Sequence, residues 1–143
     1  MNQLFEFAMN NPLLVGATLM ALIAAIGWEI RLRGQRGLAV PAGEAVRLIN
    51  QGATVVDLRD AAKFAAGHIV DAINLSASDL QGNPESRLKK KKPVLLVCDT
   101  GSSSSRLVAP LRQAGFESAW SLDGGLAAWE RENLPIIAKK AKS

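Results

Sequence analysis

The chain has a single cysteine, Cys98, and its surroundings are those in which a thiol becomes a nucleophile. The apolar run Val94-Leu95-Leu96-Val97 ends on it, and the loop Asp99-Thr100-Gly101-Ser102-Ser103-Ser104 follows. A helical pattern then begins near Ser102 or Ser103. The start of a helix presents amide donors without partners and the positive end of the helix dipole. A Gly/Ser loop lets further amides converge on an anion. A thiol held there ionises below its free value of about 8.5, and the thiolate is the reactive form. The serine hydroxyls supply further donors to a bound anion or persulfide. The competing reading is a small buried hydrophobe at a strand end, with serines that only cap a helix.

One cysteine and one histidine, His68, allow neither an internal disulfide nor a zinc-ligand set. A phosphatase-type loop needs Arg after five intervening residues, where this chain has Ser104. Arg106 lies two positions further and points in another helical direction. Phosphate chemistry is therefore disfavoured. The net charge of +4 comes from separate clusters: Arg31, Arg33 and Arg36; Lys89 to Lys92; and Lys139, Lys140 and Lys142. No aromatic residues interleave with them to stack on bases, so nucleic acid is not an expected partner. Lys89 to Lys92 read as a solvated face, with anionic lipid headgroups as the alternative contact.

The elements that must hold Cys98 follow from periodicity. Leu38-Ala39-Val40-Pro41 reads as an extended lead-in. Residues 42–51 place Ala45, Val46, Leu48 and Ile49 on one side of a helix that Gly52 stops. Residues 53–58 form a β-branched run suited to a strand buried on both faces. A short helix over 61–66 ends at Gly67, and 69–75 reads as a turn and a short strand. Short helical turns are expected on either side of Gly82-Asn83-Pro84, within the polar stretch 76–88. Val94 to Val97 make the second central strand. Leu107, Val108, Leu111 and Ala114 make an apolar helical stripe that stops at Gly115. A third strand is expected over 116–122, a turn at Gly124-Gly125, a helix over 126–131, and Pro135 as the end of the packed domain. Helices alternating with short apolar strands predict an α/β fold with a parallel-type sheet and helices on both faces. Ligands bind such sheets beyond the carboxyl ends of strands, where Cys98 lies.

Residues 12–28 carry no charge and as a helix would span about 26 Å, close to a hydrocarbon core of about 30 Å. Trp28 sits at an interfacial position and three arginines follow, while no Lys or Arg precedes the run. A cleaved signal peptide would have its basic residues on the other side, and the domain that follows does not need this segment as a core helix. The expected organisation is a short N-terminal segment over 1–11, a transmembrane helix over 12–30 and a basic juxtamembrane linker over 31–37. A single α/β domain over 38–136 and a basic tail over 137–143 complete it. The positive-inside bias places the N-terminus outside and the domain in the cytoplasm, consistent with a bacterial inner membrane. The lipid bilayer and a membrane-protein partner are thus expected neighbours.

Four separated segments, in order, resemble the rhodanese homology domain, a sulfurtransferase family. Val55-Val56-Asp57-Leu58-Arg59-Asp60 resembles its first-strand motif. The stretch from Phe64 through Gly67-His68-Ile69 to Ala72 and Asn74 resembles F-x-x-G-H-I-x-G-A-x-N. Cys98 to Ser104 stands where the family has its active-site loop. Gly124-Gly125-Leu126-Ala127-Ala128-Trp129 matches the closing G-G-x-x-A-W segment.

The resemblance implies a rhodanese-like fold and a two-step reaction without metal or organic cofactor. Cys98 would take sulfur from a small donor such as thiosulfate, or from a protein persulfide. Its persulfide, cradled by Asp99, Thr100, Gly101, Ser102, Ser103 and Ser104, would pass the sulfur to a thiophilic acceptor. Asp57, Arg59 and His68 would be scaffold. The alternative is a non-catalytic binding module in which Cys98 is incidental. Two departures stand out: Ser103 replaces an arginine found in many members, and Asp99 places an anion beside the cysteine. Like charges at about 4 Å repel by roughly 4 kcal/mol at an effective dielectric near 20. Weak use of thiosulfate and better use of a persulfide are therefore expected.

Overall fold

The computed structural model of the chain describes residues 1–36 and 38–138. The side chains of Arg33, Gln35 and Arg36, with Gly37 and residues 139–143, lie outside the described residues. The chain divides into two units, Met1–Gly34 and Gln35–Ser143.

The first unit is helical. Helix α1 (Asn2–Asn10) ends at Asn11, whose backbone is not helical, and α2 (Pro12–Arg36) begins with proline at the position that helices tolerate best. The stretch Pro12–Leu32 is long and apolar enough to cross a membrane. Its 21 residues give about 31 Å at about 1.5 Å per residue. The helix itself continues beyond that stretch to Arg36. The arginines after Trp28 favour helix as well as apolar residues do, and nothing in their chemistry stops it.

The second unit is a parallel sheet covered on both faces, as its sequence pattern implies. In chain order its elements are β1 (Ala39–Val40), α3 (Ala42–Asn50), β2 (Thr54–Asp57), α4 (Ala61–Ala66), β3 (His68–Ile69), β4 (Ile73–Asn74) and α5 (Ala77–Gly82). A single 3₁₀ turn (Pro84–Ser86) follows, then β5 (Val94–Val97), α6 (Ser102–Gln113), β6 (Ala119–Leu122), α7 (Gly125–Arg131) and β7 (Ile136–Ile137). The main sheet has the order β1-β6-β5-β2-β4, and every neighbouring pair in it is parallel.

Strand β5 shows why its residues are all apolar. Side chains alternate across a strand. Val94 and Leu96 join the cluster built with Leu80 of α5 and Leu107, Val108 and Leu111 of α6. Leu95 and Val97 face the other way, into the cluster with Ala42 and Ala45 of α3 and Leu126 and Trp129 of α7. All four are at most 1% exposed. A strand at the centre of a sheet covered on both faces has no position left for a polar side chain.

The structure departs from the sequence expectations in three places. Leu38–Pro41 supplies an edge strand rather than a simple lead-in, because β1 pairs with β6 at Ala39↔Ser121. The third strand is shorter than expected: Phe116 is core, and pairing starts at Ala119. Pro135 does not end the packed domain. Ile136–Ile137 pairs antiparallel with His68–Ile69, and the Trp129 indole N–H donates to the Pro135 carbonyl at 3.1 Å.

Candidate active site

Cys98 follows the last residue of β5, and the chain turns there into α6. The turn depends on Gly101, which caps α6 in the left-handed region at φ 89°. A side chain there would also meet the Gly124 amide nitrogen at 3.0 Å and the Leu122 carbonyl at 3.1 Å. The loop is held from beneath by the start of α7. The Leu126 amide donates to the Cys98 carbonyl at 2.8 Å and the Ala127 amide to the Asp99 carbonyl at 3.2 Å. This close approach requires Gly125, at φ 61°, since a Cβ there would strike the Cys98 carbonyl oxygen and sit 2.7 Å from Asp99 backbone atoms.

The thiol is buried and faces donors. The Gly101 amide donates to Cys98 Sγ at 3.0 Å, and Ser104 Oγ lies 3.4 Å from it. Burial pushes the thiol pKa up, but the Ser104 hydroxyl and the amides of Ser104, Gly101 and Thr100 outweigh it and bring it below its ordinary value. A stabilised thiolate at a strand end is what nucleophilic chemistry needs.

The remaining loop residues divide into two groups. Ser104 is wholly buried, and its hydroxyl also reaches the Gly101 carbonyl at 3.2 Å and Ser121 Oγ at 2.7 Å. Thr100, Ser102 and Ser103 are exposed, with Thr100 Oγ1 3.3 Å from Ser102 Oγ. Ser102 and Ser103 open α6. Asp99 is exposed and turned to α4, where the Lys63 ammonium meets it at 2.8 Å. Its negative charge is matched by a cation that the sequence did not reveal. Among the described residues, no three His, Cys, Asp or Glu side chains are grouped to hold a metal ion.

Asp57 and Arg59 brace the neighbouring strand end. The Arg59 guanidinium donates from Nε and from NH2 to the Asp57 carboxylate, at 3.0 and 2.6 Å. It also reaches the Gly67 carbonyl at 2.6 Å, and the Asp57 hydrogen bond raises its pKa further. The Asn74 amide donates to the carbonyls of Asp57 and Arg59 at 3.0 and 2.8 Å. His68 is buried, stacked on Phe64, with Nδ1 2.7 Å from the Phe64 carbonyl. Asp57, Arg59 and Asn74 are thus occupied with one another and with the Gly67 carbonyl, and His68 with Phe64.

Two contributors escaped sequence reasoning, Lys63 and Ser121. The only sign of Ser121 in the sequence is a hydroxyl in a strand that is otherwise apolar. Lys63 has no such sign.

The sequence profile described as Rhodanese-like domain matches residues 41–132. The chain is 34% identical over 143 residues to the protein named Uncharacterized protein YibN of Escherichia coli K12, covering 98% of this chain and all of that one. It is 36% identical over 87 residues to thiosulfate sulfurtransferase GlpE of Actinobacillus pleuropneumoniae, covering 61% of this chain and 80% of GlpE. The fold is similar to that of a rhodanese-related protein from Thermoplasma volcanium. That match has a TM-score of 0.63 at 26% identity and covers 69% of this chain and 96% of the other.

Proposed function

Because the chain belongs to the rhodanese-like domain family, we propose that it is a membrane-anchored sulfurtransferase that carries sulfane sulfur on Cys98. The observation that carries this reading is the pair of contacts on Cys98 Sγ, the Gly101 amide donating at 3.0 Å and the Ser104 hydroxyl 3.4 Å away.

In the first step the Cys98 thiolate attacks the outer sulfur of the donor. A new S–S bond forms as the donor's own S–S bond breaks. With thiosulfate the leaving group is sulfite, which takes the electron pair. The product is a Cys98 persulfide whose terminal sulfur carries the negative charge. Loop amides and hydroxyls stabilise that charge as they stabilise the thiolate. In the second step a thiophilic nucleophile attacks the terminal sulfur, and Cys98 leaves as the thiolate with which it began. No redox cofactor is needed, because each S–S bond formed replaces one that is broken.

Thiosulfate and persulfides are the donor classes. The name of the GlpE relative supports thiosulfate, and Lys63 offsets the Asp99 charge that would oppose it. We assign residues 12–30 as a single span with the N-terminus outside. A basic stretch over 31–37, helical as far as Arg36, leads to the domain that begins at residue 38 and takes in β7 through Ile137. The domain and the basic tail after it lie on the cytoplasmic side of a bacterial inner membrane. The apolar stretch Pro12–Leu32 and the arginines that follow Trp28 support this topology. Such a placement favours a membrane protein as sulfur acceptor.

Incubation with thiosulfate or a small persulfide should raise the intact mass by one sulfur atom. Cys98→Ser should abolish the rise, and a thiol acceptor should reverse it. If no donor of either class gives an adduct, the domain is a binding module. Full-length protein should sediment and float with membranes while a chain lacking 1–36 stays soluble. Equal partitioning of the two would remove the anchor.

A further inference from the structure

Ser121 lies in β6, 17 positions from Ser104, and both residues are wholly buried. The surroundings of Ser121 are apolar, with Leu122 after it and Leu96 opposite it in the adjacent strand. A hydroxyl placed in such a strand costs free energy unless it is hydrogen-bonded. Its side-chain partner among the described residues is Ser104 Oγ, at 2.7 Å.

Each hydroxyl has one proton and two lone pairs. Three groups surround Ser104 Oγ: the Gly101 carbonyl at 3.2 Å, Cys98 Sγ at 3.4 Å and Ser121 Oγ. The carbonyl can only accept. If Ser104 donated to Ser121, neither that carbonyl nor the sulfur would receive its proton. The Ser121 proton would then lack a side-chain acceptor among the described residues. The opposite direction satisfies every group. Ser121 donates to Ser104, and the Ser104 proton turns to the Gly101 carbonyl beside a neutral thiol or to the sulfur once it is ionised.

We propose that Ser121 is a positioning residue: it donates to Ser104 and so commits the Ser104 proton to the side on which Cys98 Sγ lies. The chain Ser121→Ser104→Cys98 polarises each bond through the one before it. The inference rests on the sulfurtransferase reading for its purpose but not for its geometry.

The test is alkylation of the full-length protein in detergent by iodoacetamide, as a function of pH. Cys98 is the only cysteine, so the rate reports this thiolate alone. Ser104→Ala should raise the midpoint by about one pH unit, a tenfold loss of thiolate below it. Ser121→Ala should raise it by roughly half a unit. The double variant should match Ser104→Ala, since Ser121 acts through Ser104. The isosteric pair Ser121→Thr and Ser121→Val repeats the comparison at larger volume, and the threonine variant should keep the lower midpoint. An unchanged midpoint in Ser121→Ala, equal midpoints for the Thr and Val variants, or additive shifts in the double variant would each overturn the assignment. Alkylation uses no sulfur donor. Absence of a persulfide with these midpoint shifts intact would count against the sulfurtransferase reading alone.

Discussion

The Lys63 ammonium lies 2.8 Å from the Asp99 carboxylate, so the residue after Cys98 is tied to α4 by an ion pair that spans 36 positions of sequence. Both side chains are about half exposed, so the pair adds little to stability. Its consequence is for a charged donor. Asp99→Ala removes the anion next to Cys98 in the chain and frees the Lys63 ammonium from its ion pair, and should raise kcat/KM for thiosulfate severalfold. Lys63→Ala uncovers Asp99 and should lower it by a similar factor. The two effects should converge at about 0.5 M salt, where exposed charges are screened. Steady-state kinetics at two salt concentrations checks this. Changes in the same direction for both variants would show that charge is not the cause.

Asp57 and Arg59 present the opposite case. Their side chains are 1% and 7% exposed, and they are joined by several hydrogen bonds. Removing one partner strands a buried charge, which costs about 3–5 kcal/mol. Asp57→Ala should therefore lower the urea midpoint sharply, and Asp57→Leu combined with Arg59→Met should recover much of the loss. Equal destabilisation by the single and double changes would mean that packing, not pairing, matters here.

What could be read from the sequence depended on the range of the interactions. The two-sided burial of Val94 to Val97 and the stripe Leu107, Val108, Leu111 were legible because periodicity is local. Cys98 and Gly101 were legible because a strand end, a lone thiol and a residue free of Cβ constraints stand within four positions. Lys63 was not, since an exposed lysine on a short helix looks like any other until the fold brings Asp99 to it. Ser121 is part of the site only through the parallel register that sets β6 beside β5. The pairing of β3 with β7 involves two residues on each side, too few for any period to show. Asp99 was recognised as an anion, but its partner could only come from tertiary structure.

The lowered pKa of Cys98 has a consequence for stability. The unfolded thiol ionises near 8.5. Between the lower folded value and that pH, the native state has lost a proton that the unfolded chain still holds, so stability rises with pH. The contribution is complete above about 8.5 and is lost as pH falls through the folded pKa. Urea midpoints of the parent and Cys98→Ala, compared between about pH 6 and pH 9, should diverge in the parent's favour as pH rises. Other groups cancel in this difference. A constant gap would mean that the donors around Sγ do not favour the thiolate.

Gly125 and Gly43 should respond oppositely to alanine. At Gly125 the backbone is left-handed at φ 61°, and an added Cβ would collide with the carbonyls of Cys98 and Asp99. Relief would require moving the loop away from α7, which breaks the bonds from Leu126 and Ala127 that hold it. Gly125→Ala should cost about 2 kcal/mol or more and suppress persulfide formation, since donors to Sγ are useful only when held in place. Gly43 sits in α3 with nothing within 4 Å of its would-be Cβ, so alanine there should stabilise by up to about 1 kcal/mol. Thermal melting and intact-mass persulfide assays on both variants provide the comparison. If Gly125→Ala still forms persulfide at the parental rate, the tether from α7 is not what fixes the Cys98 loop.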